Sequence, residues 1–156
     1  MILRFLEERA NVAVSGTRDR DLHAHAQRVT GWRVGADRET LTCLIPALFL
    51  EQLIESLQDN GHLAVTIESI PSHETYQFKG RYLRHREIHK EDLAVHARVR
   101  ERFVKGVRSV FTELPEEVLR ACMLEPALAV DLQVQEIYLQ TPGPGAGARL
   151  VPPREA

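Results

Sequence analysis

The sequence predicts an α+β domain built on a six-stranded antiparallel β-barrel with helices packed beside it. Three observations predict this. Six segments alternate apolar and polar residues with a period of two, as strands with one buried face do. They are joined by short turns or single helices, without the repeating strand–helix rhythm of a parallel sheet. Closing such a sheet also removes the exposed edges that invite association. The 156 residues, 44% hydrophobic and 27% charged, suit one globular domain that can bury a core without disulfides.

Ile2, Leu3, Phe5 and Leu6 predict a short helix over one end of the barrel. Asn11–Gly16 reads as the first strand, Val12 and Val14 alternating with small residues, and Gly16–Arg20 as a polar turn. Leu22–Val34 is a long second strand. Its even positions, from Leu22 through Arg28, Thr30 and Trp32, form the expected inner face; His23, His25, Gln27 and Arg33 lie opposite. Gly31 in mid-strand marks a bulge or a close approach by another group. Thr40–Ile45 is the third strand, with Leu41, Cys43 and Ile45 on one face, and Pro46 ends it.

Leu48–Asn60 places Phe49, Leu53, Ile54 and Leu57 at helical spacing, and Asn60-Gly61 is a stop signal. His62–Ser69 and Thr75–Leu83 form the next strand pair, with Leu63, Val65 and Ile67 facing Tyr76, Phe78 and Tyr82. Lys90–Glu113 follows as a long helix whose apolar side carries Leu93, Ala97, Val104, Val107 and Phe111. Pro115 opens a shorter helix ending near Cys122. Ala127–Leu139 is the last strand, with Leu128, Val130, Leu132 and Val134 inward and Asp131, Gln133 and Gln135 outward. Its phase slips at Ile137 and Leu139, which predicts a bulge near Glu136. The domain is thus expected over residues 1–140, and the Pro/Gly-rich tail, 141–156, is expected to lack regular structure.

Composition narrows the function. A net charge of −2 argues against nucleic acid as a partner. No apolar run approaches the roughly 20 residues that span a bilayer. The charged, amphipathic start Met1–Arg9 is unlike a secretory signal, so a cytoplasmic location is expected. Cys43 and Cys122 are expected as two buried thiols in preference to a disulfide. Residues 79–108 hold 10 Lys/Arg against 4 Asp/Glu, which predicts a solvated helix face or an anion-attracting rim. Exposed aromatics interleaved with those charges, which single-stranded nucleic acid would require, are not evident.

No nucleophile elbow, phosphate loop or His-Glu-x-x-His motif occurs. Gly143-Pro144-Gly145-Ala146-Gly147 follows the last strand and reads as tail, not as a nucleotide loop. His23 and His25 share a strand face, but no carboxylate or cysteine accompanies them at a metal-ligand spacing, so no metal is expected and they read as solvated or interface residues. His85, His89 and His96 fall in the basic stretch and read as surface. Arg28 and Thr30 lie on the expected inner face, and Gln77 and Lys79 flank Phe78. An inward charge must be paired or meet a ligand, so an internal salt bridge or an anionic cofactor is expected.

Several segments in order carry a resemblance: Asp21–Ala26, Val29-Thr30-Gly31, Leu41–Pro46, Asn60–Val65 and Pro71–Gly80. Together they resemble the pyridoxamine 5′-phosphate oxidase-like FMN-binding split barrels. Thr141–Gly147 is similar to the tail of a small bacterial FMN-binding subgroup. The resemblance covers nearly the whole chain and implies a six-stranded split barrel, a homodimer, and FMN in clefts between the subunits. It implies flavin contacts from a strand of pattern Arg-x-Val-x-x-Lys, whose basic positions are Arg28 and Arg33, with Val29 between them and Thr30 in place of the central Val. Leu44, Ile45 and Pro46 stand where the family meets flavin and ribityl chain, and Thr75 or Gln77 where it meets the ring.

Two departures bear on activity. The oxidases place Ser-Arg-Lys after the third strand to hold the flavin phosphate, where this chain has Ala47-Leu48-Phe49-Leu50. Their Arg-x-His substrate motif is absent, although Arg149-Leu150-Val151-Pro152 echoes their ending. The resemblance therefore implies an FMN-dependent oxidoreductase of open substrate, without pyridoxal phosphate synthesis. The alternatives are a split barrel that binds another ligand without flavin chemistry, and one that holds haem or a deazaflavin.

Overall fold

The computed structural model describes residues 1–9 and 11–151. Its elements are α1 (Ile2–Glu8), β1 (Asn11–Arg18), β2 (Ala24–Val29), β3 (Gly31–Val34), β4 (Thr40–Pro46), α2 (Leu50–Asn60), β5 (His62–Ser69), β6 (Thr75–Arg86), α3 (Lys90–Val110), α4 (Glu116–Cys122), β7 (Pro126–Leu139) and β8 (Arg149–Val151). All strand pairs are antiparallel, in the order β2-β1-β5-β6-β7-β4-β3, with β8 added against β7. The sheet is α+β and curled as expected, but its strands number eight, not six. The expected second strand breaks at Thr30 into β2 and β3, and the tail contributes β8.

That break explains the split. Val29 still pairs with Ala13 of β1, while the Thr30 N–H donates to the Leu44 carbonyl of β4 at 2.9 Å. β2 and β3 therefore sit at the two open edges of the hydrogen-bonded path, yet one residue joins them. The barrel is closed by the covalent chain rather than by a ladder.

Inside lie Val65, Ile67, Phe78, Leu41, Cys43, Ile45 and Leu132, all at most 3% exposed. α1 caps this core through Phe5, whose ring meets Tyr76 edge-on at 4.9 Å, while Trp32 Nε1 donates to the Leu6 carbonyl at 3.1 Å. α3 covers the outer side of β3 and β4, where Val95 packs on Leu44 and Ala129. β4 is consequently buried on both faces. The Gly61 C-cap of α2 is left-handed at φ 67, which fits the Asn60-Gly61 stop.

Five expectations need correction. The phase of β2 is reversed: Gln27 and Val29 face inward, and Ala24, Ala26 and Arg28 face solvent. Leu22 belongs to the turn, at φ 66, and small alanines leave the phase undetermined. Gln27 is tolerated inside because its amide donates to the Pro46 carbonyl at 3.1 Å and to that of Leu48. Leu93 and Phe111 of α3 are exposed, and His96 is buried instead of superficial. Asp131 is inside the structure, where Thr42 Oγ1 donates to it at 2.7 Å and Arg84 Nε at 2.8 Å. Cys122 is exposed, while Cys43 is buried; both are free thiols.

The bulge expected near Glu136 is present: Lys79 pairs with Glu136 and Gly80 with Val134, which leaves Gln135 extra. The tail is regular at β8, which pairs Arg149 with Tyr138; Pro152 and the residues after it lie outside the described ones. Among the described residues no helix is long and apolar enough to cross a membrane.

Candidate functional site

The residues singled out by sequence fall into three places. Val29, Thr30, Leu44, Ile45 and Pro46 are all buried at the bend between β2 and β3. Their polar groups are used internally. The Leu44 carbonyl receives the Thr30 N–H, with Thr30 Oγ1 at 3.4 Å, and the Pro46 carbonyl receives Gln27. The Thr30 carbonyl lies 2.9 Å from His96 Nδ1. This histidine, 2% exposed, pins α3 onto the bend, and the basic stretch around it gave no signal of that role. Gly31 is required there by close approach, since a Cβ would stand 2.8 Å from Leu44 Cδ1 and 3.4 Å from His96 Cα.

The second place is the outer face of the sheet. Register aligns Arg28, Val14, Thr66 and Gln77 across β2, β1, β5 and β6. Three inter-strand steps put Arg28 and Gln77 roughly 14 Å apart. Arg28 is exposed, and among the described residues its guanidinium reaches only Met123 Sδ, at 3.7 Å. Gln77 Nε2 donates to Thr66 Oγ1 at 3.1 Å. Thr75, on the same strand, is committed to the fold: its N–H donates to Thr141 Oγ1, its Oγ1 to the His73 carbonyl, and its carbonyl accepts from Gln140.

Arg33 occupies the third place, exposed on β3 beside α3. It lies near Asp92 without an ion pair, because Arg86 takes both Asp92 oxygens at 2.6 and 3.1 Å. The bond from Arg86, and more weakly the charge of Arg33, hold the Asp92 carboxyl below its usual range against the effect of burial. Nothing brings Arg33 into contact with Arg28.

Between the edge strand β2 and α2 opens a cleft of about 360 Å³, lined by Ala24, His25, Ala26, Gln27, Phe49 and Leu53 among others. Leu48 and Phe49 are 55% and 67% exposed, and Phe49 takes a left-handed conformation at φ 57. These apolar side chains stand where the resemblance in sequence leads one to expect phosphate donors. At the β1–β2 turn, Asp19 Oδ2 lies 3.3 Å from His23 Nδ1 and 3.2 Å from His25 Nε2, while its Oδ1 accepts the N–H groups of Asp21 and His23. The two histidines are thus held by a carboxylate that their spacing in sequence did not announce.

These features fit a phosphate-bearing aromatic ligand. Arg28 and Arg33 are without carboxylate partners among the described residues, and the flat alanine surface beside Phe49 can take a ring.

No protein-family model and no curated protein matches the sequence. Solved structures do. HupZ of Group A Streptococcus is 15% identical, covers 92% of each chain and superposes with a TM-score of 0.53. An F420 reductase is 12% identical over 86% of this chain and 94% of that one, at 0.52. General Stress Protein 26 of Bacillus anthracis str. Sterne is 11% identical over 96% and 95%, at 0.50. With the strand that bends at Thr30 to join both edges of the sheet, the chain has the split-barrel fold that its resemblance to the pyridoxamine 5′-phosphate oxidase-like proteins implied.

Proposed function

We propose that the chain binds FMN between two copies of itself and works as a flavin-dependent oxidoreductase. One observation carries this reading: the guanidiniums of Arg28 and Arg33, at the two basic positions of the family's strand, are not tied up by carboxylates among the described residues. Arg86 occupies Asp92, on whose carboxyl the Arg33 charge also acts, and among the described residues Arg28 reaches the Met123 sulfur. Exposed guanidiniums without carboxylate partners among the described residues suit a phosphate, to which their planar forks can donate bidentate bonds.

Bound FMN would supply the redox chemistry, while the protein binds and orients it. The chain's own residues then have distinct tasks. Arg28 and Arg33 hold the phosphate, one from each side of the bend or one from each subunit. Gln77, half-buried on the outer face, offers its amide oxygen or nitrogen to the ring edge. Val29, Thr30, Leu44, Ile45 and Pro46 shape the bend without touching the ligand through side chains, and Thr75 anchors the strand that carries Gln77. Phe49 and Leu48 cover the cleft from α2 and exclude water from it.

The visible spectrum of the purified protein, taken before and after adding excess FMN, tests this directly. A flavin absorbance that co-migrates with the protein supports it. A colourless protein that leaves added FMN fluorescence unquenched removes it.

A second reading is favoured by the exposed Leu48 and Phe49 in place of phosphate donors. Here the barrel binds a different, more apolar ligand and performs no flavin chemistry. Under that reading FMN leaves the melting temperature unmoved while another ligand raises it.

A further inference from the structure

Gly16 stands in the middle of β1 for no reason internal to the fold. The pairing of β1 with β2 and with β5 runs through it without a register shift. A Cβ built there would meet no atom within 4 Å. Glycine weakens a strand interior, and where no bulge needs it, it marks a spot at which a ligand or another backbone comes close. Gly16 lies beside Ala64 on the outer face, so the two form a flat floor.

Over that floor opens a cleft of about 370 Å³ whose walls carry Arg18, Lys79 and Arg81 together with His62. Among the described residues Arg18 and Arg81 have no carboxylate partner, while Lys79 stands across the ladder from Glu136 and its charge helps to hold that carboxyl down. Arg18 donates to the Asp19 carbonyl at 3.3 Å, and Arg81 to the Asn60 carbonyl at 2.8 Å. Lys79 Nζ sits 4.7 Å above the Tyr138 ring. The one carboxylate on the wall, Glu136, is bound by Arg149 at 3.1 Å and by the Tyr138 hydroxyl. The His62 imidazole lies between the arginines, 3.5 Å from Arg81, and burial followed by the charges of Arg81 and Arg18 lowers its pKa. The bulge at Gln135 shapes this wall by displacing β7 opposite Gly80.

We propose that this cleft binds a phosphorylated small molecule with a flat body, its phosphate held by Arg18, Lys79 and Arg81 and its body laid on Gly16 and Ala64. Three cations on the wall of one cleft outnumber its single carboxylate, which Arg149 also neutralises, and so suit a multiply charged anion, whose phosphate oxygens the guanidinium forks match. The glycine floor lets a planar group approach the backbone. The site is separate from Arg28 and Arg33 and does not rest on the flavin reading.

Calorimetric titration with phenyl phosphate and with inorganic phosphate tests it on the flavin-free full chain. Wild type is expected to bind phenyl phosphate at least tenfold more tightly than inorganic phosphate. Gly16→Val, which the open space around that position leaves free to fold, should erase the difference. The double variant Lys79→Gln/Arg81→Gln should weaken both ligands at least tenfold, with an unchanged circular dichroism spectrum. Failure of wild type to bind phenyl phosphate at millimolar concentration overturns the proposal, as do variants that bind like wild type. So does a Gly16→Val protein whose only change is its sedimentation mass, because the glycine then serves a second copy. FMN titrated into the same samples separates the two sites, since either can fail while the other holds.

Discussion

Two buried groups set the chemistry available to single residues. Burial, with the nearby Asp131 charge, pushes the Cys43 thiol up to about 12, whereas Cys122 is exposed at the end of α4. Only the thiolate is nucleophilic, so a thiol reagent should modify one cysteine in the native protein and both after unfolding in urea. Mass spectrometry that finds Cys43 labelled first would contradict this burial. Asp92 is the second group, 3% exposed and held by Arg86 and by the His89 N–H at 2.9 Å. Removing Arg86 leaves that charge buried and unpaired, so Arg86→Met should cost about 3–5 kcal/mol in urea unfolding at neutral pH. The sign with pH follows from the depressed carboxyl. In wild type its contribution is complete above the unfolded value of about 3.9 and fades as pH falls through the lower folded value. In the variant the buried carboxyl takes up a proton more readily, so the deficit should shrink on acidification. A deficit that stays constant down to pH 3 would show that Arg86 acts by packing alone.

At the scale of elements, the bulge in β7 and the glycine facing it form one unit. A Cβ at Gly80 would lie 1.8 Å from the Gln133 carbonyl oxygen, and backbone cannot step aside as a flexible side chain can. Gly80→Ala should therefore destabilise by about 3 kcal/mol, whereas Gly16→Ala should be neutral or stabilise by up to about 1 kcal/mol. Chemical denaturation of the pair checks both, and equal effects would refute the distinction. The sequence made this bulge legible because Ile137 and Leu139 break the alternation of Leu128–Val134. It made β5 and the start of β6 legible for the same reason, each having large apolar residues on one face only. β2 was not legible. Alanines at 24 and 26 suit either face, and Gln27 is inside only because two carbonyls of a distant loop receive its amide. Lys79 and Arg81 fell in the basic stretch read as a solvated face or an anion-attracting rim, whereas Arg18 and the buried His96 gave no signal, His96 because its partner Thr30 lies far along the chain. Arg28 and Arg33 were found by motif, but the face assigned to Arg28 was wrong, because period-two patterning fixes a face only where large apolar residues anchor it.

For the whole molecule, the decisive property is what covers the outer sheet. Val14, 41% exposed, lies between Arg28 and Thr66 on a face where the exposed Ala24 and Ala26 of β2 offer little side chain to shield the backbone. Small side chains let a second sheet approach closely, which is the arrangement the proposed homodimer needs. Sedimentation of wild type should then give twice the chain mass of 17.7 kDa. Val14→Glu discriminates because its effects on monomer and dimer have opposite signs. In a lone chain the new carboxylate stands directly opposite Arg28, and an opposite-charge cross-strand pair is worth roughly 0.2–1 kcal/mol, so folding should not suffer. Across a two-fold interface the same carboxylate would be buried against its own copy, which costs several kcal/mol per unsolvated charge. The variant should therefore sediment as a monomer with an unaltered circular dichroism spectrum. It should also lose affinity for FMN, because Arg28 is then neutralised from within. A Val14→Glu protein that remains dimeric would place the interface elsewhere on the barrel, and one that is monomeric yet still binds FMN would free the flavin site from both Arg28 and the second subunit.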